Sequence, residues 1–219
     1  MKYKFLLPVF FLITFPIYLF SQTNGMQLEL NPRGYYEARG LNILVFNNWY
    51  DGNFSDAKIA GIEIIHHGVR TATNGDVRLS PTPAQWDPIP KLINRKIENN
   101  SVEVYLSYPA FNFEYMIRTE TKNDGIIISV NLLKPLPKEL EGRAGLNLEF
   151  LPSAYFEKAF LMDDRSGVFP LYPTGPMEKS KWGSMESRPF ATGKILTLAP
   201  EDPLRRIIIE TNDGELNLY

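Results

Sequence analysis

Residues 59–90 read IAGIEIIHHGVRTATNGDVRLSPTPAQWDPIP, and this stretch decides the fold. It opens with four branched aliphatic residues, a pattern typical of a strand that is buried on both faces. Asn-Gly takes the positive φ values of a type I′ turn, so we predict a hairpin from residues 68–71 into residues 74–78. Four prolines then exclude a helix and hold the chain extended around Trp86. Binding residues of a β protein are commonly found in polar segments with aromatic residues that follow a buried strand, and residues 66–90 fit this description.

The rest of the chain alternates with period two far more than with period 3.6, which predicts strands rather than helices. Asn-rich and Gly-rich turns join the strands, and we expect hairpins around 99–100, 123–125 and 212–214. The predicted strands are 27–31, 41–46, 94–98, 101–108, 113–121, 125–133, 145–151, 194–199, 205–211 and 215–219.

Three segments show weaker patterns. Residues 134–142 allow one helical turn, residues 154–162 are expected to extend the strand that ends at 151, and residues 163–188 form the longest irregular stretch. The predicted fold class is therefore all-β: an antiparallel β-sandwich with long loops and no substantial helix after the signal peptide. A large mutarotase-like supersandwich is the variant of this fold that remains open.

The first 21 residues are predicted to be a signal peptide. Lys2 and Lys4 form a positive region, and residues 5–20 form an apolar run of 16 residues, shorter than the roughly 20 that span a bilayer. Leu19 stands at the −3 position, so the cleavage site stays open, and an uncleaved membrane anchor is the competing interpretation. We expect a secreted or periplasmic protein in which residues 22–219 form a single β-sandwich domain.

Composition excludes several classes of protein. The chain has no cysteine, so lipid attachment through cysteine is excluded, and an exported domain must be stable without disulfides. The net charge is −2 with acids and bases interspersed, which argues against nucleic acid as a partner and against a membrane partner after signal cleavage. The alternating pattern continues to Tyr219, and from this we expect the sequence to be the front of a longer protein.

Five segments together resemble a leading domain of secreted bacterial glycoside hydrolases of family nine, the cellulase or endoglucanase family. The most specific part is TATNGDVRLSPTPAQW at residues 71–86, and the resemblance covers most of residues 27–219. The segments are GLNILVFNNWY (40–50), IEIIHHGVRTATNGDVRLSPTPAQWDPIP (62–90), GLNLEFLPSAYFEKAF (145–160), SGVFPLYPTGPM (166–177) and LAPEDPLRRIIIETNDGELNLY (198–219).

The resemblance implies a non-catalytic accessory module. In that family the leading domain precedes an immunoglobulin-like domain and a helical catalytic barrel, and the paired catalytic carboxylates lie in the barrel. No residue of this chain matches their motifs, so no catalytic residue is carried over. The implied partners are a polysaccharide or oligosaccharide and the downstream domains of the same polypeptide.

The candidate sugar-binding residues are aromatic and polar. Trp49, Tyr50 and Trp86 are candidates because a flat aromatic ring stacks on a pyranose, although large aromatic side chains more often supply burial. The polar candidates on the predicted hairpin can hydrogen-bond sugar hydroxyls, and the two arginines among them can equally form cross-strand ion pairs. The polar candidates are Arg70, Asp76, Arg78 and His67.

No metal or other cofactor is expected. His66 and His67 are adjacent, so on a strand they face opposite sides and cannot hold one metal together. No cysteine, G-x-S-x-G motif or Walker loop supports nucleophilic or nucleotide chemistry. Two other functions stay open. A mutarotase-type enzyme would need a histidine opposite a carboxylate, and a structural or adhesion sandwich would need no cleft.

Overall fold

The computed structural model describes residues 27–47, 61–82, 87–123, 125–172, 177–181, 183 and 185–219. Strands account for 56% of the structure and helices for 6%, which confirms the predicted all-β class. Among the described residues, the helices are Pro152–Tyr155 (α1) and two 3₁₀ turns, Pro109–Phe111 and Lys138–Leu140, the second of which matches the helical turn predicted in 134–142. Within these described ranges, no helix has the length and apolar character needed to cross a bilayer.

The first sheet has six antiparallel strands in the order β1-β2-β3-β4-β5-β10. Its alternation follows the sequence: on β3, Ile43 and Val45 are buried and Leu44 between them is half-buried. The strands are Glu29–Leu30 (β1), Tyr36–Ala38 (β2), Leu41–Val45 (β3), Ile62–His66 (β4), Val69–Arg78 (β5) and Gly145–Phe150 (β10).

The second sheet has four antiparallel strands in the order β6-β7-β8-β9. The predicted hairpins at 99–100 and 123–125 are confirmed, because Glu98 pairs with Ser101 and Lys122 pairs with Gly125. Asn123 has a φ of 54°, a value that asparagine tolerates better than most residues. The strands are Lys91–Glu98 (β6), Ser101–Tyr108 (β7), Phe113–Lys122 (β8) and Gly125–Leu132 (β9).

The two sheets pack face to face around one hydrophobic core, and this confirms the sandwich. Every second residue of β7 points into it, and Val102, Val104 and Leu106 have no exposed surface. Each such side chain contributes about 1.5–3 kcal/mol by leaving water. The first sheet contributes Tyr36 and Val45, which are equally buried.

A second cluster of buried side chains lies in residues 154–218. It is built on a four-stranded sheet in the order β12-β11-β16-β17, with Met162 and Leu198 fully buried. Two two-stranded sheets, β13-β14 and β15-β18, complete the described part. The strands are Ala159–Met162 (β11), Arg165–Val168 (β12), Met177–Lys179 (β13), Met185–Ser187 (β14), Ala191–Gly193 (β15), Ile195–Leu198 (β16), Ile207–Glu210 (β17) and Leu216–Leu218 (β18).

The hairpin predicted within residues 68–78 is wrong. These residues form the single strand β5, and the turn lies earlier, at His67 and Gly68, which have φ values of 47° and 79°. Positive φ at both central residues defines a type I′ turn, and it joins β4 to β5. Asn74 uses its positive φ of 53° for a bulge, where the register between β4 and β5 shifts.

Three predictions about the C-terminal third are also wrong. β17 and β18 do not form a hairpin, because β17 pairs with β16 and β18 pairs with β15. Residues 154–162 do not extend β10; they contain the end of α1 and then β11, which belongs to another sheet. The described part of residues 163–188 contains three short strands rather than irregular chain.

Candidate functional site

The aromatic candidates for sugar stacking fall outside the described residues. Trp49 and Tyr50 belong to residues 48–60, and Trp86 belongs to residues 83–86. Their role as sugar platforms therefore stays a prediction. The polar candidates are all described, and they lie on β5 or on the turn before it.

Arg70 and Arg78 form ion pairs with acids on the neighbouring strands. Arg70 Nε lies 3.0 Å from an oxygen of Glu63 on β4, and Glu63 also accepts a hydrogen bond from the Thr73 hydroxyl at 3.2 Å. Arg78 Nη2 lies 3.9 Å from an oxygen of Glu149 on β10. The predicted cross-strand ion pairs of the two arginines are confirmed.

Asp76 is a carboxylate in the interior of the sandwich and has no exposed surface. One of its oxygens accepts two hydrogen bonds, from the Tyr115 hydroxyl at 2.8 Å and from the Val77 N–H at 2.7 Å. Burial raises the pKa of Asp76 to about 7, although these hydrogen bonds and the Arg78 charge act in the opposite direction. Because it is enclosed, Asp76 does not reach a ligand at the surface in this structure.

Three buried polar atoms at the junction of β5 and β10 have no hydrogen-bond partner among the described residues. The second oxygen of Asp76, Nε of Arg78 and the side-chain nitrogen of Asn147 are buried and make no hydrogen bond in the described chain. Asn147 stands opposite Asp76 in the β5–β10 register. One acceptor and two donors without partners thus occupy adjacent strands.

Three buried tyrosines join the two sheets of the sandwich. Tyr115 donates to Asp76, the Tyr108 hydroxyl donates to the Val77 carbonyl at 2.8 Å, and Tyr36 donates to the Thr119 carbonyl at 2.7 Å. Burial raises the pKa of all three tyrosines, so each hydroxyl keeps its proton and acts as a donor. The sequence analysis missed this set, although Tyr108 and Tyr115 occupy inward positions of alternating strands.

The two histidines have different environments. Nδ1 of His66 lies 3.0 Å from the Thr71 hydroxyl, and burial together with the Arg205 charge lowers its pKa. His67 is exposed on the turn, with its ring over Gly40. Placing both on one strand was therefore wrong. Within the described residues neither histidine bonds a carboxylate, and no group of three or more metal-ligating side chains is present.

Comparisons with other proteins do not assign a family. No protein-family model matches the chain, and no curated protein or solved structure matches it either. The candidate site is therefore described from the geometry of this chain alone. Its polar residues form ion pairs and hydrogen bonds between the strands and between the sheets of an all-β sandwich.

Proposed function

We propose that this chain is a non-catalytic β-sandwich module of an exported, cellulase-type glycoside hydrolase, and that it binds or positions glucan. The proposal rests first on the resemblance of five segments across residues 27–219. The structural observation that supports it is that the polar candidates bond to other side chains of the domain. Asp76 is buried and accepts a hydrogen bond from Tyr115, and Arg70 forms an ion pair with Glu63. Side chains held in this way support a scaffold that presents loops rather than a catalytic centre.

The aromatic residue Trp86 is the proposed sugar platform. It follows β5 by eight residues, and β5 is held by strands on both sides. A strand held on both sides fixes the point from which the chain continues toward Trp86, and an indole ring offers a large flat surface at a small entropic cost.

Affinity electrophoresis through gels that contain soluble β-glucan tests this function. We expect the wild-type protein to be retarded and Trp86→Ala to migrate as it does without glucan. Trp182→Ala is the matched control, because Trp182 lies outside the stretch that the proposal uses. Wild-type mobility that is unchanged in every glucan tested would contradict glucan binding.

A bracing role against a catalytic domain is the second candidate, and a specific observation favours it. Several large apolar side chains are exposed in the C-terminal third, and a neighbouring domain could cover them. They include Phe156, Val168, Tyr172, Met177, Met185, Phe190 and Leu204. If they cover a neighbouring domain, a family-nine catalytic domain fused to this module should melt at a higher temperature than the same domain alone.

A further inference from the structure

Strand β17 has an open edge. It is the last strand of its sheet, and among the described strands it pairs with β16 alone. The Thr211 N–H donates to the Lys194 carbonyl at 3.1 Å, and in an antiparallel pair such bonded positions recur at every second residue. The backbone of Ile209 therefore bonds to β16, and the N–H and C=O groups of Ile208 and Glu210 point away from the sheet.

The side chains at this edge share one surface. Arg206, Ile208 and Glu210 alternate with the half-buried residues between them, and all three are exposed. Ile208 is 59% exposed although it is a large aliphatic residue. Over the described part of the chain, neither Arg206 nor Glu210 forms an ion pair. A positive charge, an apolar side chain and a negative charge thus stand in a row along the open edge.

We propose that β17 is a self-association edge, which pairs antiparallel with β17 of a second copy of this chain about a two-fold axis at Ile208. The two Ile208 residues would exchange two backbone hydrogen bonds. Two more would run from each Glu210 N–H to the Arg206 carbonyl of the other copy. The Arg206 N–H already donates to the Asp202 carbonyl at 2.8 Å and takes no part. This inference goes beyond the proposed function.

The charge pattern selects a second copy as the partner. With Ile208 opposite Ile208, Arg206 of each copy stands directly opposite Glu210 of the other, on the same face of the joined sheet. Parallel pairing in register would instead place arginine against arginine and glutamate against glutamate. A shift of two residues removes the charge pairing altogether. The edge is therefore complementary to itself in one orientation and one register.

The expected dimer is weak. β17 is four residues long, and such an edge buries far less than the roughly 1,200 Å² of a standard stable interface. The association must therefore be measured up to about 1 mM protein, where weak complexes form.

Amide hydrogen exchange across this concentration range tests the pairing directly. In the monomer the N–H groups of Ile208 and Glu210 face solvent, so we expect fast exchange at low concentration and protection at high concentration. The Ile209 N–H bonds to β16 and should change little. Sedimentation velocity should show a dimer over the same range. A monomer at about 1 mM, or concentration-dependent protection confined to another sheet edge such as β9, overturns the proposal.

Charge reversal identifies the contact. Arg206→Glu places two like-charged pairs in the interface and should weaken dimerisation about tenfold, and Glu210→Arg should do the same. The double variant restores opposite charges and should recover most of the wild-type affinity. Arg39→Glu, at an exposed turn far from β17 in sequence, carries the same change of net charge and should have no effect. The proposal is overturned if the single charge reversals leave the dimerisation affinity unchanged. It is also overturned if the double variant does not restore that affinity.

Discussion

Asp76 is a carboxylate with no exposed surface, and its pKa is raised to about 7 by burial. Sequence reasoning selected it as a sugar ligand because it is polar and lies near a predicted turn. In the structure the turn is elsewhere, and Asp76, which follows the bulge at Asn74, meets Tyr115 of the second sheet. Whether an aspartate at this position can bind a ligand or is buried in the core depends on that local register. That register depends on the hydrophobic pattern of the paired strands together with the turn between them, and not on the Asn-Gly pair alone.

The pH dependence of stability should report the burial of Asp76. Its pKa is about 7 in the folded protein against 3.8 in the unfolded chain, so the folded state binds more protons between these values. The contribution of Asp76 to the free energy of unfolding is then complete below about pH 4, and it falls by roughly 4 kcal/mol as the pH rises to about 7. The measurement is urea unfolding from pH 4 to pH 8.5 of the wild type and Asp76→Asn, which cannot ionise.

The difference between the two proteins isolates Asp76, because His66 titrates in both. The pKa of His66 is lowered, so its contribution has the opposite sign and is lost as the pH falls below 6.5. Glu103→Gln is the contrasting control: the Tyr105 hydroxyl and Arg118 lower the pKa of Glu103, so its contribution is lost in acid rather than gained. A wild-type minus Asp76→Asn difference that stays constant with pH would contradict the predicted burial effect.

At the scale of elements, short-range turns were predictable and the choice between two similar turns was not. The hairpins at 99–100 and 123–125 follow from local sequence, since each turn lies between two alternating runs. His67-Gly68 and Asn74-Gly75 both supply residues suited to positive φ, and they lie seven positions apart. The longer β5, which pairs with β4 on one side and β10 on the other, decides that the first pair turns and the second bulges.

The bulge predicts a specific sensitivity at Gly75. A Cβ atom built there would lie 2.6 Å from the Cβ of Ile62 and 3.0 Å from its carbonyl oxygen, and neither neighbour can move freely. Gly75→Ala should therefore destabilise the fold by about 2 kcal/mol, measured as the free energy of unfolding in urea. Gly145→Ala on the adjacent strand is the matched control. Its Cβ would meet nothing within 4 Å, and its effect should stay within about 0.5 kcal/mol. Equal losses in the two variants would show that the close contact is not the cause.

At the scale of the whole molecule, period-two alternation was sufficient to predict an all-β sandwich. It was not sufficient to predict which strands pair when they are distant in the sequence. The turn at 212–214 looks like a hairpin, yet β17 and β18 find partners in different sheets. Pairings between strands distant in sequence depend on which apolar faces meet, and alternation alone does not name the partner. The same limit hid the second cluster around Met162 and Leu198, which shares no member with the sandwich core.

Two separate clusters predict that the molecule opens in two parts. Leu106 is fully buried in the sandwich core and Leu198 is fully buried in the C-terminal cluster, so truncating either to alanine should cost about 2–5 kcal/mol. Leu198→Ala should speed amide exchange in β11, β16 and β17 and leave β7 and β8 protected, because local openings follow the contacts of each cluster. Leu106→Ala should do the reverse. Native-state hydrogen exchange measures both variants. If each variant speeds exchange equally in all of these strands, the two clusters unfold together, and the prediction of separate opening is wrong.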